Sequence, residues 1–399
     1  VSIFLPLRLV LLTVSRSLAS AVTILTANKF GSGQYSAIKV LLRQSFTVSS
    51  ILLVLLHLLF YGFFEKLVVL MGAQSDYLEL ALAYGNIAVA AVLLNSLSLL
   101  LQGTLLGVGR TSAIMKSNIV GNVVNIVCNY FLITGFGSFA GWGVRGAAIS
   151  TIIGSLCTLG ITVWIMKQEG FFSDGLLQLP DKIFWREFMP VFGGVFSELG
   201  AERIGMLAYG WMTARLGTLP YAVHSICYNI CDFSYDFIFG FGKANMVLAG
   251  QMRGAADYSN WKRCRSIGFK WGLGLSVASF IILYAARVPI FSVYSQDAQA
   301  LALSETVMFW VAAGAYDYHG RHIAWQRSDY CRCCLFLCAD YCSASIDDGL
   351  LYLLLQAGDC GRLGTDVFGP VAAQSVLYLE GYADTRIEGF NKINMPYKK

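Results

Sequence analysis

Acidic side chains recur inside two apolar stretches of the sequence. Glu198 and Glu202 are four residues apart and would therefore lie one turn apart on a helix. In the second stretch, Asp232, Asp236 and Lys243 fall within an arc of about 40° on one helix. A charge inside a membrane span costs on the order of 2.5–3.5 kcal/mol on insertion scales, so it needs a compensating role. Carboxylates placed in this way could exchange a bound cation or proton for a substrate.

Two main interpretations of these charged residues stay open. The carboxylates could form an exchange site whose occupancy is tuned electrostatically by Lys243. They could instead form a structural salt-bridge network with Lys243 and Arg203 that fixes how the helices pack. A third interpretation places some of the charges in water at a helix end. The candidate residues of this group are Glu198, Glu202, Arg203, Asp232, Asp236 and Lys243.

Four asparagines interrupt the apolar segment SNIVGNVVNIVCNYFLITG, residues 117–135. On a helix they would fall within an arc of roughly 60° and form one narrow polar stripe. The four are Asn118, Asn122, Asn125 and Asn129. The stripe could line the polar interior of a helical lobe, or it could hold neighbouring helices together through hydrogen bonds.

The composition indicates that membrane-spanning helices carry these residues. The chain has 56% hydrophobic and only 13% charged residues over 399 positions, and its mean hydropathy is +0.60. A soluble domain would have about a quarter of its residues charged, so we predict an all-α polytopic membrane protein. The predicted spans are 5–27, 45–70, 78–103, 112–136, 144–166, 188–214, 219–250, 271–290 and 298–316.

Basic residues are divided unequally between alternate loops and their flanks. One set of loops carries thirteen Lys and Arg residues and the other set carries four. The larger set is Lys29, Lys39, Arg43, Arg110, Lys116, Lys167, Lys182, Arg186, Arg253, Lys262, Arg263, Arg265 and Lys270. The smaller set is Lys66, Arg145, Arg215 and Arg287. Because cytoplasmic loops carry the excess of positive charge, we expect the first set to face the cytoplasm.

The chain contains an internal repeat at an offset of 223 positions. The offset aligns AVTILTANKFGSGQYSAIK (21–39) with ANMVLAGQMRGAADYSNWK (244–262), with six identities in nineteen. Gly31 pairs with Gly254, and Tyr35 pairs with Tyr258. Both copies lie on the positive side of the predicted topology, which indicates two homologous lobes in the same orientation.

The repeat leads to a domain division. We predict an N-terminal lobe (1–168), a cytoplasmic linker (169–187), a C-terminal lobe (188–316) and a divergent tail (317–399). The partner of the span at 188–214 would fall before residue 1, and the tail holds only short apolar runs where two spans are expected. We therefore expect a chain without its first helix, with a tail that is either divergent or translated out of frame.

No enzymatic or cofactor motif is evident. Six of the eleven cysteines lie between Cys331 and Cys360, and their spacing does not match paired zinc ligands, so no metal site is expected. There is no nucleotide-binding or Ser-His-Asp pattern, so we expect neither ATP-driven transport nor an enzyme.

Several separated motifs resemble the multidrug and toxic compound extrusion (MATE) family. They are the asparagine-rich segment with GVRGAAISTIIG after it, the helix ends TANKFGSGQ and LAGQMRGAADY, and the loop ARLGTLPYAVHSICYN. The resemblance covers roughly residues 5–315. It implies two six-helix lobes around a cleft that opens to alternate sides, of which this chain would contain helices two to ten.

The resemblance also suggests roles for individual residues. Glu198 lies eight residues after Pro190 in PVFGGVFSE, which is similar to the position of a cation-coupling glutamate in one branch of the family. Asn125 and Asn129 match a polar pair of the other branch, in which the second residue is an aspartate. Asn129 does not titrate, so the chain departs from that branch at this position.

The expected function is secondary antiport of amphipathic or cationic small molecules in exchange for Na⁺ or H⁺. No cofactor other than the coupling ion is expected, and the expected partners are a small-molecule substrate and the lipid bilayer, with no nucleic acid. We expect a monomer in a bacterial inner or plasma membrane. The alternatives are a flippase for lipid-linked saccharides from the same superfamily and a non-functional truncated fragment.

Overall fold

A computed structural model describes residues 4–70, 75–135, 140–173, 175–214 and 218–305. All regular secondary structure in these ranges is helical, as predicted. The helices are α1 (Phe4–Gly31), α2 (Tyr35–Leu70), α3 (Ser75–Gly107), α4 (Thr111–Thr134), α5 (Gly143–Gln168), α6 (Lys182–Ala214), α7 (Thr218–Gly254), α8 (Tyr258–Ala285) and α9 (Arg287–Ser292). The predicted tail 317–399 and most of the predicted span 298–316 lie outside the described residues.

The long helices have the dimensions of membrane spans. Six of them, α1 to α5 and α8, contain apolar segments of 24 to 35 residues that are long enough to cross a membrane by length and composition. The other two long helices in the described ranges, α6 and α7, carry the charged residues singled out in the sequence. The described part of the chain is therefore that of a polytopic membrane protein.

Short turns join consecutive helices at one end of the bundle. Gly33 lies between α1 and α2 with a φ of +72°, and Gly109 lies between α3 and α4 with a φ of +82°. A side chain is strained in this left-handed region, whereas glycine adopts it without a Cβ clash. These two glycines therefore allow each following helix to reverse direction within a few residues.

Helix α1 is central in the described bundle and packs against α2, α3, α6 and α7. Ser15 Oγ donates a hydrogen bond to Ser96 Oγ of α3 at 2.7 Å, and Thr23 Oγ1 donates to the Gly103 carbonyl at 3.0 Å. A Cβ on Gly103 would lie 2.6 Å from the Ala19 carbonyl oxygen. Small residues thus bring α1 and α3 close enough for hydroxyl groups to bridge them.

Helix α6 begins at Lys182, six residues before the predicted start of its span. Asp181 Oδ1 accepts from the Phe184 backbone N–H at 2.7 Å and so caps the helix. Phe184 and Phe188 are buried with Leu18 of α1 and Leu41 of α2. The first turns of α6 therefore pack within the core of the predicted N-terminal lobe. Charged residues near 182–187 lower the local hydropathy, which explains why the span prediction started later.

Helix α8 also differs from its predicted span, 271–290, which is wrong in its bounds. The helix starts at Tyr258, where the Asp257 side chain accepts from the Asn260 backbone N–H at 3.1 Å, and it ends at Ala285. The short helix α9 follows, with Pro289 in its first turn, where a missing N–H costs nothing. The basic residues at 262–270 lower the local hydropathy, so the predicted span began after the true start of α8. A helix can extend beyond the hydrocarbon layer, where its residues do not need to be apolar.

The helix boundaries repeat at the same offset of 223 as the sequence. Helix α1 ends at Gly31 and α7 ends at Gly254, while α2 begins at Tyr35 and α8 begins at Tyr258. The turn that joins α1 to α2 is thus matched residue for residue by the turn that joins α7 to α8. The repeat inferred from sequence is a repeat of structure.

Polar contacts gather the basic loops at one end of the bundle. Lys29 Nζ of α1 lies 2.8 Å from Glu187 Oε2 of α6. Arg110 Nε lies 3.3 Å from Glu169 Oε1 beyond the end of α5. Gln251 of α7 donates to the carbonyl of Gly107, the last residue of α3, at 2.9 Å. These contacts join the turns and connections that carry the larger basic set.

Candidate functional site

The asparagine stripe of α4 faces α5. Ser150 Oγ of α5 donates a hydrogen bond to Asn129 Oδ1, and Asn129 Nδ2 donates to Asn125 Oδ1 at 3.1 Å. Ser150 is completely buried, and both asparagines are half-buried. The two amides and the hydroxyl therefore form a chain of hydrogen bonds along the α4–α5 contact.

Small residues on α5 create the space for this network. Gly146, Ser150, Gly154 and Thr158 recur at intervals of four and so share one face of the helix. A Cβ on Gly154 would lie 2.7 Å from the Cβ of Asn125, and a Cβ on Gly121 of α4 would collide with the Thr158 hydroxyl. Close approach of the two backbones is therefore a condition for the hydrogen bonds.

A second polar contact joins the stripe to α3. Gln102 Nε2 donates to Asn118 Oδ1 at 3.0 Å, and it lies 3.5 Å from Thr162 Oγ1 of α5. Gln102 is buried. The fourth asparagine of the stripe, Asn122, is exposed. The structure thus brings Asn118, Asn125 and Asn129 into helix contacts and leaves Asn122 on the surface of the described residues.

The hydroxyl groups that contact Asn129 and Gln102 were missed in the sequence. Ser150 and Thr162 have no distinctive motif around them, but they belong to a run of small residues at four-residue spacing on α5. Such spacing is a signal for close helix packing in a membrane, and it could have identified the face of α5 that meets the stripe. Chemically, the network supplies neutral donors and acceptors and no group that titrates near neutral pH.

The charged candidates lie on α6 and α7, which pack against each other. Glu198 and Arg203 are half-buried on α6, and each makes a polar or electrostatic interaction. Lys243 of α7 is half-buried, with Nζ 4.5 Å from the centre of the Phe239 ring. The side chains of Glu202, Asp232 and Asp236 lie outside the described residues. Whether these charged residues form an exchange site or a salt-bridge network therefore stays a prediction.

The two repeats meet where α1 and α7 cross. A Cβ on Gly31 would collide with the Gln251 carbonyl, and a Cβ on Gly254 would collide with the Asn28 carbonyl. Asn28 and Gln251 are themselves related by the offset of 223, as are the two glycines. The two contacts are therefore equivalent under the repeat, as expected for helices related by a pseudo-two-fold axis.

A further contact lies near the axis of this crossing. A Cβ on Gly250 would lie 3.0 Å from the Ala27 Cβ, and these residues are also 223 positions apart. Small residues on both helices thus allow a close parallel crossing. The crossing brings the C-terminal ends of α1 and α7 together at the end of the bundle that carries the basic loops.

The helices described above lie in sequence ranges that match a known protein family. The family model MatE matches residues 1–131 and 198–317, which together are more than half of the chain. The chain belongs to the MatE family. The asparagine stripe, the crossing of α1 with α7 and all the charged candidates lie within the matched ranges. The resemblance inferred from the helix-end motifs is confirmed.

Relatives of this MatE chain carry the names of multidrug resistance proteins. The Probable multidrug resistance protein NorM of Bacillus thuringiensis subsp. konkukian is 28% identical over 209 residues, which cover 51% of this chain and 46% of that protein. The protein of the same name from Thermotoga maritima is 24% identical over 293 residues, which cover 73% of this chain and 63% of that protein. The chain spans about half the length of the Bacillus relative that it matches.

Solved MATE structures share the fold. A crystal structure of MATE in the straight conformation has a TM-score of 0.71 at 17% identity, and the match covers 90% of this chain and 78% of that chain. A crystal structure of the Vibrio cholerae MATE transporter VcmN has a TM-score of 0.73 at 16% identity, with coverages of 88% and 77%. At these identities the likeness shows the fold alone, and it confirms the predicted MATE-like multi-pass architecture.

Proposed function

We propose that this MatE protein is a secondary active antiporter that exports amphipathic or cationic small molecules in exchange for Na⁺ or H⁺. Membership in the family and the multidrug resistance names of its relatives support this proposal. The names of these relatives also agree with the expectation that the chain is not an enzyme. A bacterial inner or plasma membrane, and a monomer as the transporting unit, belong to the same proposal.

The observation that carries the proposal is the symmetric crossing of α1 and α7. Gly31 and Gly254 each abut a carbonyl of the other repeat, so α1 and α7 are in contact at the end where these helices stop. Alternating access is largely a rocking of one repeat against the other, in which contact at one end of the bundle is exchanged for contact at the other end. The arrangement therefore suits a transporter that opens to one side at a time.

The polar groups of the two repeats differ in charge, which suits different roles for the two repeats. The amides and hydroxyls of α4 and α5 are neutral and offer hydrogen bonds to a substrate without fixing a charge. The half-buried Glu198 of α6 offers a carboxylate that can bind either a cation or a proton. We assign the coupling ion to the second repeat on this basis.

Transport into membrane vesicles tests the proposal. A fluorescent lipophilic cation such as ethidium would be added to the medium around inside-out vesicles that contain the full chain, and a Na⁺ or a proton gradient, high inside, would be imposed in separate runs. We expect uptake of the dye with one of the two gradients and its loss when an ionophore dissipates that gradient. Uptake that requires ATP and persists with the ionophore, or no gradient-driven uptake by the inserted protein, would contradict the proposal.

A further inference from the structure

The first half of α8 is strongly basic. Residues 258–270 contain four Lys or Arg residues and no acidic residue. These four are Lys262, Arg263, Arg265 and Lys270. Lys262, Arg263 and Lys270 are exposed. Trp271, the next residue, is 68% exposed. A helix that crosses a membrane thus begins with a cluster of cations and an aromatic side chain at its surface.

The exposed cations point away from the packed side of α8. At 100° per residue, Lys262, Lys270 and Arg263 fall within an arc of about 100°. The contact with α7 is made by Cys264, whose Sγ lies 3.3 Å from Asn245 Oδ1, and by Gly268, where a Cβ would collide with the same Asn245 side chain. These positions lie on roughly the opposite side of the helix. The basic face is therefore directed outward from the α7–α8 contact.

The length of α8 places this face at the level of lipid headgroups. A helix of 28 residues is about 42 Å long at 1.5 Å per residue, whereas the hydrocarbon layer is about 30 Å thick. About 20 residues counted back from Ala285 span that layer, which leaves Trp261, Lys262 and Arg263 outside it. Lys270 lies about one turn inside the layer, and its long side chain can extend the ammonium group back to the interface. The Arg265 guanidinium lies 4.8 Å from the Trp261 ring centre. Tryptophan beside basic residues is typical of the membrane interface.

The corresponding face in the first repeat is built differently. Val40 and Thr47 of α2 stand 223 positions before Arg263 and Lys270, and Leu42 stands before Arg265, whereas Lys262 keeps the cation of Lys39. An apolar or neutral residue in α2 is thus replaced by a cation in α8 at three positions.

The connecting segment after α5 covers that face of α2. Thr47 Oγ1 accepts a hydrogen bond from the Gln178 backbone N–H at 3.0 Å. Leu42 is buried in a cluster against which Phe171 and Phe172 of this segment pack. Lys39 Nζ donates to Ser173 Oγ at 3.1 Å. Protein thus packs against this face of α2 at Leu42 and Thr47, whereas the exposed cations of α8 are open to a ligand from outside the α7–α8 contact.

We propose that the basic face of α8, formed by Lys262, Arg263 and Lys270, binds the headgroups of anionic phospholipids in the adjacent leaflet. The level of the face relative to the hydrocarbon layer favours a lipid phosphate over a soluble anion, because the acyl chains can lie along the apolar half of the same helix. Trp271, at the boundary between the two halves, would contact the acyl chains just below the glycerol region. This interaction is independent of what the protein transports.

Lipid-dependent thermal stability tests the proposal on the full chain. The purified protein in a neutral detergent would be titrated with phosphatidylglycerol, with phosphatidylcholine and with inorganic phosphate while its melting temperature is followed. We expect a saturable rise with phosphatidylglycerol that 0.5 M salt suppresses, and no such rise with the other two. From about 1 kcal/mol per basic residue near an anionic surface, the double change Lys262→Gln with Arg263→Gln should weaken the apparent affinity on the order of 30-fold.

The matched control removes two exposed cations from the same end of the bundle. Lys116→Gln with Lys167→Gln changes the net charge equally but leaves α8 intact, and it should keep the phosphatidylglycerol effect within about threefold of the original. The charge-conserving pair Lys262→Arg with Arg263→Lys should keep it as well, which separates charge from folding. Equal stabilisation by phosphatidylcholine, equal stabilisation by inorganic phosphate, or an unchanged affinity in the α8 double variant would each overturn the proposal.

Discussion

Gly254 at the end of α7 lies against the main-chain carbonyl of Asn28 in α1, and the distance leaves no room for a Cβ. The same contact is made in reverse by Gly31 and Gln251. The crossing therefore contains two contacts that are equivalent under the repeat, and each joins a glycine of one repeat to a carbonyl of the other. Its consequence is that both glycines are required by packing, because a side chain at either position would push the two repeats apart.

Substitution at this crossing should destabilise the protein. Gly31→Ala or Gly254→Ala introduces a Cβ into a backbone contact, and overpacking of this kind costs about 1–3 kcal/mol. We expect a lower melting temperature in detergent for each variant. Gly160→Ala of α5 is the matched control, since a Cβ there meets nothing within 4 Å and alanine favours a helix. Equal melting temperatures for Gly31→Ala and Gly160→Ala would contradict the packing argument.

The ion pair between Lys29 and Glu187 should contribute a measurable coupling between α1 and α6. Lys29 is 19% exposed and Glu187 39%, so solvent screens the pair in part. We expect a coupling energy of about 0.5–1 kcal/mol from a double-mutant cycle of Lys29→Ala and Glu187→Ala, measured by thermal unfolding. The coupling should fall in 0.5 M salt. Strictly additive effects of the two single changes would show that the ion pair does not stabilise the packing of α1 against α6.

Loss of the Ser150 hydroxyl should weaken the α4–α5 contact. Ser150→Ala removes the donor to Asn129 inside a buried interface and should cost about 1 kcal/mol. Thr151→Ala is the matched control, because the Thr151 hydroxyl donates only within α5, to the Ala147 carbonyl. Thermal unfolding of both variants measures the difference. A Ser150→Ala protein as stable as the control would show that the asparagine stripe does not depend on this bond.

Replacing Glu198 separates ion coupling from helix packing. Glu198→Gln keeps the shape of the side chain but removes its charge. If the carboxylate couples ion and substrate, we expect gradient-driven dye efflux to be lost while the melting temperature stays within about 2 °C of the original. If Glu198 balances a neighbouring cation instead, the change leaves that cation uncompensated, and the yield of folded protein should fall. Unchanged efflux from a stable variant would reject both roles.

The cap of α8 should confer a pH-dependent stability. The hydrogen bonds from the backbone and side chain of Asn260 hold the pKa of the Asp257 carboxyl below its ordinary value. A lowered folded-state pKa means that the stabilisation is present above the ordinary aspartate pKa, about 4, and is lost as the pH falls through the folded value. We expect Asp257→Ala to melt at a lower temperature than the original protein at pH 7, and the difference to shrink below pH 4.

A neutral cap serves as the comparison for that experiment. Asp257→Asn retains an acceptor for the Asn260 N–H and should keep most of the stability at pH 7. Its melting temperature relative to Asp257→Ala should not change between pH 7 and pH 3. A constant difference between the original protein and Asp257→Ala over that pH range would show that the carboxylate charge at position 257 plays no part.

The sequence was sufficient to predict features that depend on local composition and on similarity along the chain. Membrane-length apolar runs predicted the helices α1 to α8, because the cost of burying charge in lipid restricts what a span can contain. The match of Gly31 to Gly254 predicted the repeat, which the helix ends then reproduced. The helix ends TANKFGSGQ and LAGQMRGAADY, together with the asparagine-rich segment, predicted the family. Each of these signals depends on residues that are close together in the chain or separated by one fixed offset.

The tertiary structure decided which side chains meet. The spacing of small residues marks the face of α5 that carries Ser150, but the contact of Ser150 with Asn129 depends on how α4 and α5 pack. The start of α8 was missed, since Lys262 and Arg263 lower the hydropathy without breaking the helix. The collisions that a Cβ would cause at Gly31 and Gly254 become visible only when the two repeats are docked. Periodicity assigns a residue to a face of its helix, whereas the neighbour of that face is set by the packing of all the helices together.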